Sequence, residues 1–540
     1  MFLESSDEYA TMVGTVTSSS LSGGRDFYDD GYEEDDKGLE NRIRFDPEKF
    51  YGRNEELQTL HRLFSSLNSQ TNAPTVSGES KLCGIPVALV SGYSGTGKSK
   101  LVYRFIDELE QKYKEGKAKS FYFLSGKFEE LQRADPFAPI VHAFTNFSSL
   151  LLKGDEKELE RIRHAIKSAI GDEVDTIATV VPGLMSVLGS TGQKNLNESK
   201  ENAWNQLKYL FQCLLKAICI EDRPIILFLD DLQWADSASL DLIVALVKDT
   251  SLRHFMFVAT IRSNEVDKDH LLTKKLDLLE KAGRKIDRIN LMSLSLEEVV
   301  VFIADTLSLE EDDTRSLAEA VYGKTRGNIF FTMQALEELE RKNVLYYSLI
   351  SFQWEWNLKG VEIEAGLSDN VLEVVATKIQ IAPAKLQRAL IIAAYTRSTI
   401  DRETLRDLMS LDGCLVQMEE LVKLLDIAVL EGLLSNSVGS CDYKFAHDRI
   451  QQAAYSLVAP GPLRDRLKMM IGRRLYELAL QRTGEDWMFF VAADHLNSLS
   501  TAIDDPILLV ELNLTCGRKA SEVAAFLSAS QYLKKKHGSN

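Results

Sequence analysis

The chain has 540 residues, of which 45% are hydrophobic and 26% charged, as expected for a globular protein of several domains. Its formal net charge of −17 argues against attraction to nucleic acid through overall electrostatics. No apolar run approaches the roughly 18 residues that span a membrane, and no secretory signal pattern is present. Six scattered cysteines without a C-x-x-C pair indicate reduced thiols. We therefore expect a cytoplasmic or nuclear protein with no membrane partner.

The N-terminal stretch, residues 1–40, combines a Ser/Gly run with the acidic cluster DDGYEEDDKGLE. Its apolar content is too low to form a core, so we expect a disordered acidic tail. Ordered structure is expected to begin near FYGRNEEL, where Gly52 and Arg53 precede an amphipathic helix.

The most informative stretch is VALVSGYSGTGKSKLVYRF, residues 87–105, in which an apolar run precedes a glycine-rich turn and a segment of helical spacing. The turn fits the phosphate-binding pattern G-x-x-x-x-G-K-[ST], whose glycines let backbone N–H groups curve around phosphates. Lys98 could reach the β- and γ-phosphates, and the Ser99 hydroxyl could bind Mg²⁺. By itself this pattern also allows an accidental glycine-rich turn. The predicted nucleotide-binding residues here are Gly92, Tyr93, Ser94, Gly95, Thr96, Gly97, Lys98, Ser99 and Lys100.

A second site pattern follows in RPIILFLDDLQWAD, where a run of apolar residues ends in Asp230 and Asp231. This is typical of a buried parallel strand that carries carboxylates at its C-terminal end, the edge where open α/β sheets bind ligands. Asp230 could hold Mg²⁺ through its water shell, and Asp231 could orient or deprotonate an attacking water. Together with the phosphate loop, the pair predicts an NTPase.

Three further segments complete a predicted core. KSFYFLSGKF (119–128), HFMFVATIRSNEV (254–266) and RKIDRINLMSL (284–294) have the composition of strands. The second of them contains Arg262, which would face the γ-phosphate; a solvated arginine at a strand exit is the alternative. Five strands with interleaved helices predict a three-layer α/β core with a parallel sheet over residues 41–294.

Beyond this core the sequence pattern is mainly helical. Residues 295–365 begin with a capping box and include an aromatic hairpin, and we predict a helical lid there. Residues 366–460 contain a strand-like segment before a helix, CDYKFAHDRIQQAAY, which is typical of a winged helix. Residues 461–540 have the spacing of helix pairs and predict the start of a tetratricopeptide-like region.

The motifs FYGRNEEL, GYSGTGKS, LFLDDLQWAD, VATIRSNEV, GNIFF and FAHDRIQQAAY, in this order, resemble the ATPase module of the STAND class, the signal-transduction ATPases with numerous domains. In large signalling proteins this module lies between a kinase-like domain and GAF or histidine-kinase domains. The resemblance implies an AAA-like P-loop core followed by an all-α lid, a winged-helix domain and TPR-like helices. It also implies a switch that binds ATP or ADP with Mg²⁺ and hydrolyses ATP slowly.

The resemblance assigns roles to particular residues of this chain. It places Gly52 and Arg53 against the nucleotide, Ser99 and Asp230 on the metal, Asp231 on the attacking water and Arg262 on the γ-phosphate. His447, in a His447-Asp448 pair, would contact the β-phosphate of ADP and hold a closed, inactive form; a histidine packed at a helix start is the alternative. One motif departs from the family pattern, because its Gly-x-Pro turn is here Gly327-Asn328-Ile329. This leaves the adenosine contact of that segment open.

Three functions are compatible with these patterns. We expect a nucleotide-operated switch that acts through protein partners at its C-terminal helical region, with self-association on ATP binding as one mode. The main alternative is a DNA-acting ATPase of the origin-recognition type, since these also join such a core to a winged helix. The acidic balance and the absence of Lys/Arg clusters in residues 430–470 argue against nucleic acid as a partner. A metabolic enzyme is the third alternative, but no second substrate motif is visible.

Overall fold

The computed structural model describes residues 42–46, 49–67, 84–116, 120–130, 137–189, 200–364, 371–412, 416–436, 442–482, 484–499, 505–522 and 526–535. The predicted acidic tail lies outside this part of the chain. Residues 43–540 form one compact unit, and of the separate unit Met1–Arg42 only Arg42 is described. Among the described helices, none combines the length and apolar character needed to cross a membrane.

A five-stranded parallel sheet, in the spatial order β2-β3-β4-β1-β5, organises the first half of this unit. Its central strands are runs of apolar residues buried on both faces, as parallel sheets covered by helices require. All five predicted strands are present, and the predicted parallel α/β fold is confirmed. The strands are β1 (Val87–Gly92), β2 (Tyr122–Lys127), β3 (Ile225–Asp230), β4 (Phe255–Arg262) and β5 (Asp287–Asn290).

Helices cover both faces of this sheet and make it the middle of three layers. Successive side chains of a strand point to opposite faces. In β3, Ile226 and Phe228 therefore pack with the helices α1 (Asn54–Ser66) and α2 (Lys98–Lys114) in one apolar cluster. Ile225, Leu227 and Leu229 belong to the other cluster. The helices of that second layer are α3 (Ala138–Lys153), α4 (Glu156–Ile170), α5 (Val174–Val180), α6 (Leu184–Leu188), α7 (Lys200–Ile218), α8 (Ser237–Lys248) and α9 (Leu271–Lys281).

The next part of the chain, residues 295–364, is named the hairpin region here. The predicted capping box is present, with Ser295 and Glu298 bonded reciprocally at the start of its first helix. A third apolar cluster holds its helices together. The predicted aromatic hairpin is also present, as two antiparallel strands. Its elements are α10 (Leu296–Leu307), α11 (Glu311–Thr325), α12 (Ile329–Arg341), β6 (Leu345–Ser348), β7 (Gln353–Trp356) and α13 (Leu358–Glu364).

Residues 371–458, the small-sheet region, place five helices around a three-stranded antiparallel sheet of order β8-β10-β9. Helices then continue to residue 535, each packed against the next, and we name these the C-terminal helices. The small-sheet elements are α14 (Val371–Gln380), α15 (Ala384–Ala394), β8 (Thr399–Ile400), α16 (Arg402–Met409), α17 (Met418–Leu430), β9 (Leu434–Asn436), β10 (Tyr443–Phe445) and α18 (Asp448–Ser456). The C-terminal helices are α19 (Pro462–Gln481), α20 (Trp487–Asn497), α21 (Pro506–Glu522) and α22 (Phe526–Lys535).

Candidate functional site

The glycine-rich turn lies between the end of β1 and the start of α2, as predicted. Gly95 and Gly97 have φ angles of 82° and 90°, in the left-handed region that glycine adopts without strain. Gly97 is the N-cap of α2 and supplies no side-chain acceptor, so the first N–H groups of this helix are not capped by it. A Cβ placed on Gly97 would meet no atom within 4 Å. The turn therefore offers uncapped donors and open space, which suit an anionic group.

Lys98 and Ser99 occupy the first turn of α2. The Lys98 Nζ donates to the carbonyl oxygens of Gly92, at 3.2 Å, and Tyr93, at 2.9 Å. Burial lowers the pKa of Lys98, although Asp231 acts in the opposite direction. The Ser99 hydroxyl lies 2.8 Å from the Asp230 carboxylate, so the two predicted metal-binding groups are adjacent. Hydroxyl and carboxylate oxygens are ligands that Mg²⁺ accepts, so this pair fits that ion.

The carboxyl ends of β3 and β4 hold the remaining predicted catalytic groups. The hydroxyl of Thr260, on β4, donates to Asp230 and accepts from the backbone N–H of Asp231. Arg262 donates from Nε to Asp231 Oδ1 at 3.1 Å and from a terminal nitrogen to Oδ2 at 3.3 Å. Its guanidinium carbon is also 4.2 Å from the ring centroid of Trp234. The side chain of Arg262 is 2% exposed, so the structure does not support the solvated alternative.

The environment of Asp231 favours proton transfer near neutral pH. Burial raises the pKa of Asp231 to about 6, helped by the negative charges of Asp230 and Asp448 and opposed by Arg262 and Lys127. A carboxylate with such a pKa can accept a proton from water and release it again close to neutrality. The backbone of Asp231 is left-handed, with φ of 54°, which turns its side chain away from the direction of β3.

Two further charged residues complete this cluster: Lys127, which no sequence pattern had assigned, and Asp448, which the resemblance had named only as the partner of His447. Lys127, at the end of β2, pairs with Asp230 in the strand register. Its Nζ lies 2.6 Å from Oδ1 of Asp448, the first residue of α18, and 3.7 Å from Asp231. A terminal nitrogen of Arg262 lies 2.5 Å from Asp448 Oδ2. The only sequence signal for Lys127 is its place at the end of a predicted strand, because the carboxyl ends of parallel strands meet at one edge.

Opposite charges stabilise this contact between the sheet and the small-sheet region. Burial would raise the pKa of Asp448, but Lys127, His447 and Arg262 outweigh it and lower that pKa well below its usual range. Burial likewise opposes the charge on Lys127, but the carboxylates of Asp448, Asp230 and Asp231 raise its pKa. Asp448 is therefore an anion held by two cations at the edge of the parallel sheet.

His447 precedes Asp448 and is the N-cap of α18. Its Nδ1 accepts the backbone N–H of Arg449 at 3.1 Å, and its ring stacks on Phe330 with centroids 4.0 Å apart. Burial lowers the pKa of His447 to about 4, so the ring is neutral at physiological pH. Because Nδ1 is the acceptor, Nε2 carries the proton of the neutral ring.

The hairpin region contacts the phosphate loop directly. The Asn328 side-chain amide donates to the Ser94 carbonyl at 2.8 Å, and the Phe330 N–H donates to the Gly95 carbonyl at 3.3 Å. A Cβ on Gly95 would lie 2.6 Å from Asn328 Oδ1, so glycine is required there for this close approach. Three residues from distant parts of the chain thus contact one another. Phe330 bonds Gly95 through its backbone N–H and stacks on His447 through its ring.

These elements enclose a cavity of about 940 Å³. One part of its lining, named the apolar end here, packs in the third apolar cluster and includes Ile329, which stands where the STAND pattern has proline. Other lining residues belong to the phosphate loop and the paired carboxylates. This volume is at the upper end of the about 300–1,000 Å³ typical of small-molecule sites. An apolar end, uncapped helix donors and a Ser–Asp pair fit a nucleotide with Mg²⁺. The apolar end is lined by Phe45, Tyr51, Phe302, Ile329 and Met333.

The structure brings most of the predicted site residues to this cavity, but not all of them. Gly52 and Arg53 are not among its lining residues. Arg53 instead donates to the Met292 carbonyl, and its φ of 70° forms the turn that precedes α1. Gly92, Tyr93 and Thr96 shape the loop without lining the cavity. The predicted residues that line it are Ser94, Gly95, Gly97, Lys98, Ser99, Lys100, Asp230, Asp231, Arg262 and His447.

Residues 49–258 match the AAA ATPase domain family. The chain contains an AAA-type ATPase domain. The matched stretch includes the phosphate loop and both Asp230 and Asp231, and it ends within β4.

One curated relative is the hybrid signal transduction histidine kinase G of Dictyostelium discoideum. The alignment is 554 positions long and 23% identical, and it covers 82% of this chain and 16% of the relative. The chain therefore spans only a small part of the length of that protein.

Several solved structures are similar at low identity. They include the Walker-type ATPase PABY2304 of Pyrococcus abyssi, at 14% identity and a TM-score of 0.33, covering 76% of this chain and 98% of that one. The Aeropyrum pernix ORC2 protein, in ADPNP-ADP complexes, is 11% identical with a TM-score of 0.36 and covers 77% and 96%. Drosophila ORC bound to DNA is 12% identical with a TM-score of 0.34 and covers 83% and 98%.

Proposed function

We propose that this chain is an ATP/ADP-operated switch of the STAND type, in which slow ATP hydrolysis is coupled to movement of the hairpin and small-sheet regions. The observation that carries the proposal is the contact of Asp448 with Lys127 and Arg262. An anion from the small-sheet region lies at the sheet edge where Arg262 and the predicted catalytic Asp231 meet. The contact links the position of the small-sheet region to the charges beside the proposed phosphate site.

The residues of the cavity divide the work of binding and hydrolysis between them. The phosphate loop and Lys98 hold the β- and γ-phosphates, and the apolar end around Ile329 takes the adenine. Ser99 and Asp230 hold Mg²⁺, which when bound neutralises negative charge on the phosphates. Asp231 accepts a proton from the attacking water, for which a pKa of about 6 is suited. Arg262 stabilises the charge that develops on the γ-phosphate.

The closed arrangement and a bound γ-phosphate would compete for the same cations. With ADP, Lys127 and Arg262 remain paired with Asp448, and His447 can donate from Nε2 to the β-phosphate. With ATP, the γ-phosphate adds negative charge beside Asp448, and repulsion between the two anions weakens the contact. The predicted result is release of the small-sheet region.

The proposed switch uses the domain limits predicted from the sequence. We propose an ATPase core over residues 41–294, a lid over 295–365, a winged-helix domain over 366–460 and a partner-binding, TPR-like region over 461–540. Release of the winged-helix domain would make the last region accessible to protein partners and permit self-association. A cytoplasmic or nuclear location fits these roles.

A DNA-acting ATPase of the origin-recognition type is the second candidate. The small antiparallel sheet and its helices, joined to an AAA-type core, favour it as well. A gel shift with duplex DNA at physiological ionic strength distinguishes the two. Binding that weakens steeply with added salt would support the DNA-acting protein, because it reports contacts with phosphates.

Two measurements on the full chain test the switch. The nucleotide that co-purifies with it should be ADP, and release of a fluorescent ADP analogue should become about tenfold faster in His447→Ala, since one hydrogen bond to a charged group is lost. His164→Ala, an exposed histidine on α4, is the matched control and should release ADP at the wild-type rate. Purification without nucleotide and an ADP affinity no better than millimolar would refute the switch. Equal release rates in wild type and His447→Ala would remove His447 from it.

A further inference from the structure

The cavity lining also includes a group of basic side chains, named the basic end here, which the proposed nucleotide site does not use. This basic end consists of His142 on α3, Arg397 just before β8 and Lys444 on β10. The three residues come from the core and from the small-sheet region. They lie close together, because the charges of Arg397 and Lys444 act on His142, and Ser398, next to Arg397, is bonded to Glu129.

The Arg397 side chain packs on an aromatic ring, and its Nε donor has no hydrogen-bond acceptor within the described part of the chain. Its guanidinium carbon lies 4.6 Å from the ring centroid of Trp487 at the start of α20, so the face of the guanidinium is packed on an aromatic ring. Stacking uses the face and leaves the N–H groups at the edge for acceptors in the same plane. The Nε atom of Arg397 is buried and has no hydrogen-bond partner. A buried donor without an acceptor costs free energy, which an anionic ligand would recover.

Lys444 adds a second cation without an acidic partner. Its backbone is fixed between Thr399 of β8 and Ser435 of β9 in the antiparallel register. Its side chain lines the cavity, and no salt bridge to it is found within the described part of the chain. Because both neighbouring strands restrain the backbone, the side chain is presented to the cavity from a rigid position.

The third member, His142, lies close enough to the other two for their charges to change its pKa. Burial lowers the pKa of His142, and the positive charges of Arg397 and Lys444 lower it further, while Glu129 opposes them. Glu129 is the carboxylate at this end, and it is already engaged. It accepts the backbone N–H of Ser398 at 3.1 Å and the Ser398 hydroxyl. Its charge offsets part of the positive charge, but within the described part of the chain it forms no salt bridge with Arg397 or Lys444, so two cations face one carboxylate.

We propose that the basic end is a second ligand site, which binds an oxyanion, phosphate or carboxylate, of a small molecule other than the nucleotide at the phosphate loop. Arg397 would donate two edge N–H groups to the oxyanion, Lys444 would add a point charge, and His142 would donate one hydrogen bond. The ligand would bridge α3 to the strands β8 and β10. It would thereby strengthen the attachment of the small-sheet region to the core and act as an effector.

Calorimetric titration of the ADP-loaded full chain with inorganic phosphate, and separately with acetate at equal ionic strength, tests the proposal. ADP with Mg²⁺ occupies the first site, and heat that is lost in the basic-end variants but kept in the control reports the basic end. The two probes distinguish a phosphate-bearing from a carboxylate-bearing ligand. We expect one additional binding event with at least one of them. Its affinity should fall about tenfold or more in Lys444→Ala and in Arg397→Lys, which keeps the charge but loses the fork of donors.

Lys423→Ala, an exposed lysine on α17 of the same region, is the matched control and should bind the probe as the wild type does. Thermal unfolding of each variant checks its fold, and Arg397→Lys serves where removal of the stacked side chain would destabilise the protein. The Lys98→Ala chain should still bind the probe, which separates this site from the phosphate loop. Absence of binding to the ADP-loaded wild type, or equal affinity in all variants, would overturn the second site and leave the nucleotide switch untouched.

Discussion

The two sides of the cavity are built in different ways. On the sheet side, Asp230 ends β3 and Lys98 begins α2, the helix that follows β1. Parallel ladders join both strands to β4, and apolar layers cover them. On the opposite side, the small-sheet region shares an apolar cluster with the second helix layer of the core, but at the cavity it meets the core through polar contacts. Asp448 binds Lys127 and Arg262, Ser398 binds Glu129, and Gln452 donates to Glu130 at 2.9 Å.

We infer from this difference that the sheet side holds the ligand and that the opposite side responds to it. The backbone ladders keep the phosphate loop in place whatever occupies it, because breaking them exposes a large apolar surface. Polar contacts of a few side chains can be exchanged for contacts with a charged ligand at small net cost, since one charge replaces another. The predictions below test whether the sheet side governs affinity and the opposite side governs release.

The largest effect is expected on the sheet side. Lys98→Ala should weaken ATP and ADP binding by about a hundredfold or more, because the loop loses its charge-assisted contact with the phosphates. Equilibrium titration with a fluorescent nucleotide measures it. The matched control is Lys114→Ala at the exposed end of the same helix, which should bind as the wild type does. If both variants bind nucleotide equally, Gly92–Ser99 does not form the phosphate site.

The same contrast explains what sequence patterns could predict. The phosphate loop, its strand and its helix are consecutive in the chain, so the spacing of Gly92, Lys98 and Ser99 is visible as a local motif. Asp230 and Asp231 could be added because apolar strands that end in carboxylates meet such a loop in parallel sheets. The order of five strands and the apolar layers follow from the same periodicity.

The contacts on the opposite side could not be predicted from local sequence motifs. Lys127 and Asp448 are 321 positions apart, and neither position carries a pattern that selects the other as partner. The stacking of Phe330 on His447 and the basic end likewise depend on how the hairpin and small-sheet regions pack. Arg53 is an instructive case, because its motif predicts a nucleotide contact while its guanidinium donates to the carbonyl of Met292. That contact with nucleotide stays a prediction.

A smaller but substantial effect is expected for the charge contact. Asp448→Asn and Lys127→Met should each reduce the free energy of unfolding by about 2–4 kcal/mol, because each removes one member of a buried charge cluster and leaves the remaining charges less well balanced. Urea titration of the ADP-loaded chain measures it. The double variant should lose clearly less than the sum of the two single losses, since the residues interact directly.

Glu130→Gln is the control for this cycle. Glu130 is an exposed residue of the same interface, which accepts from Gln452, and its substitution should change the free energy of unfolding by less than about 0.5 kcal/mol. Strict additivity of Lys127→Met and Asp448→Asn would mean that the two charges do not stabilise each other. The small-sheet region would then be held by packing alone.

The smallest effect concerns pH and the neutral ring of His447. Because its pKa is about 4 in the folded chain and about 6.5 when unfolded, the unfolded chain binds more protons between these values. Stability that is fully present above pH 6.5 should therefore fall as the pH is lowered towards 4, by at most about 2 kcal/mol at pH 5. The charged groups that face the ring are Asp448, Lys127, Arg262 and Arg449.

His447→Asn isolates this term, because asparagine keeps an N-cap acceptor for α18 and does not titrate. His495, which is also buried with a pKa of about 4, is present in both chains and cancels in the difference. Urea titrations of both chains at pH 7 and pH 5 should show the steeper loss in the wild type. Parallel pH profiles would mean that protonated His447 is tolerated where it lies. Acidification could then not loosen the contact between α18 and the sheet through this residue, and Asp448 alone would link that contact to the charge of the nucleotide.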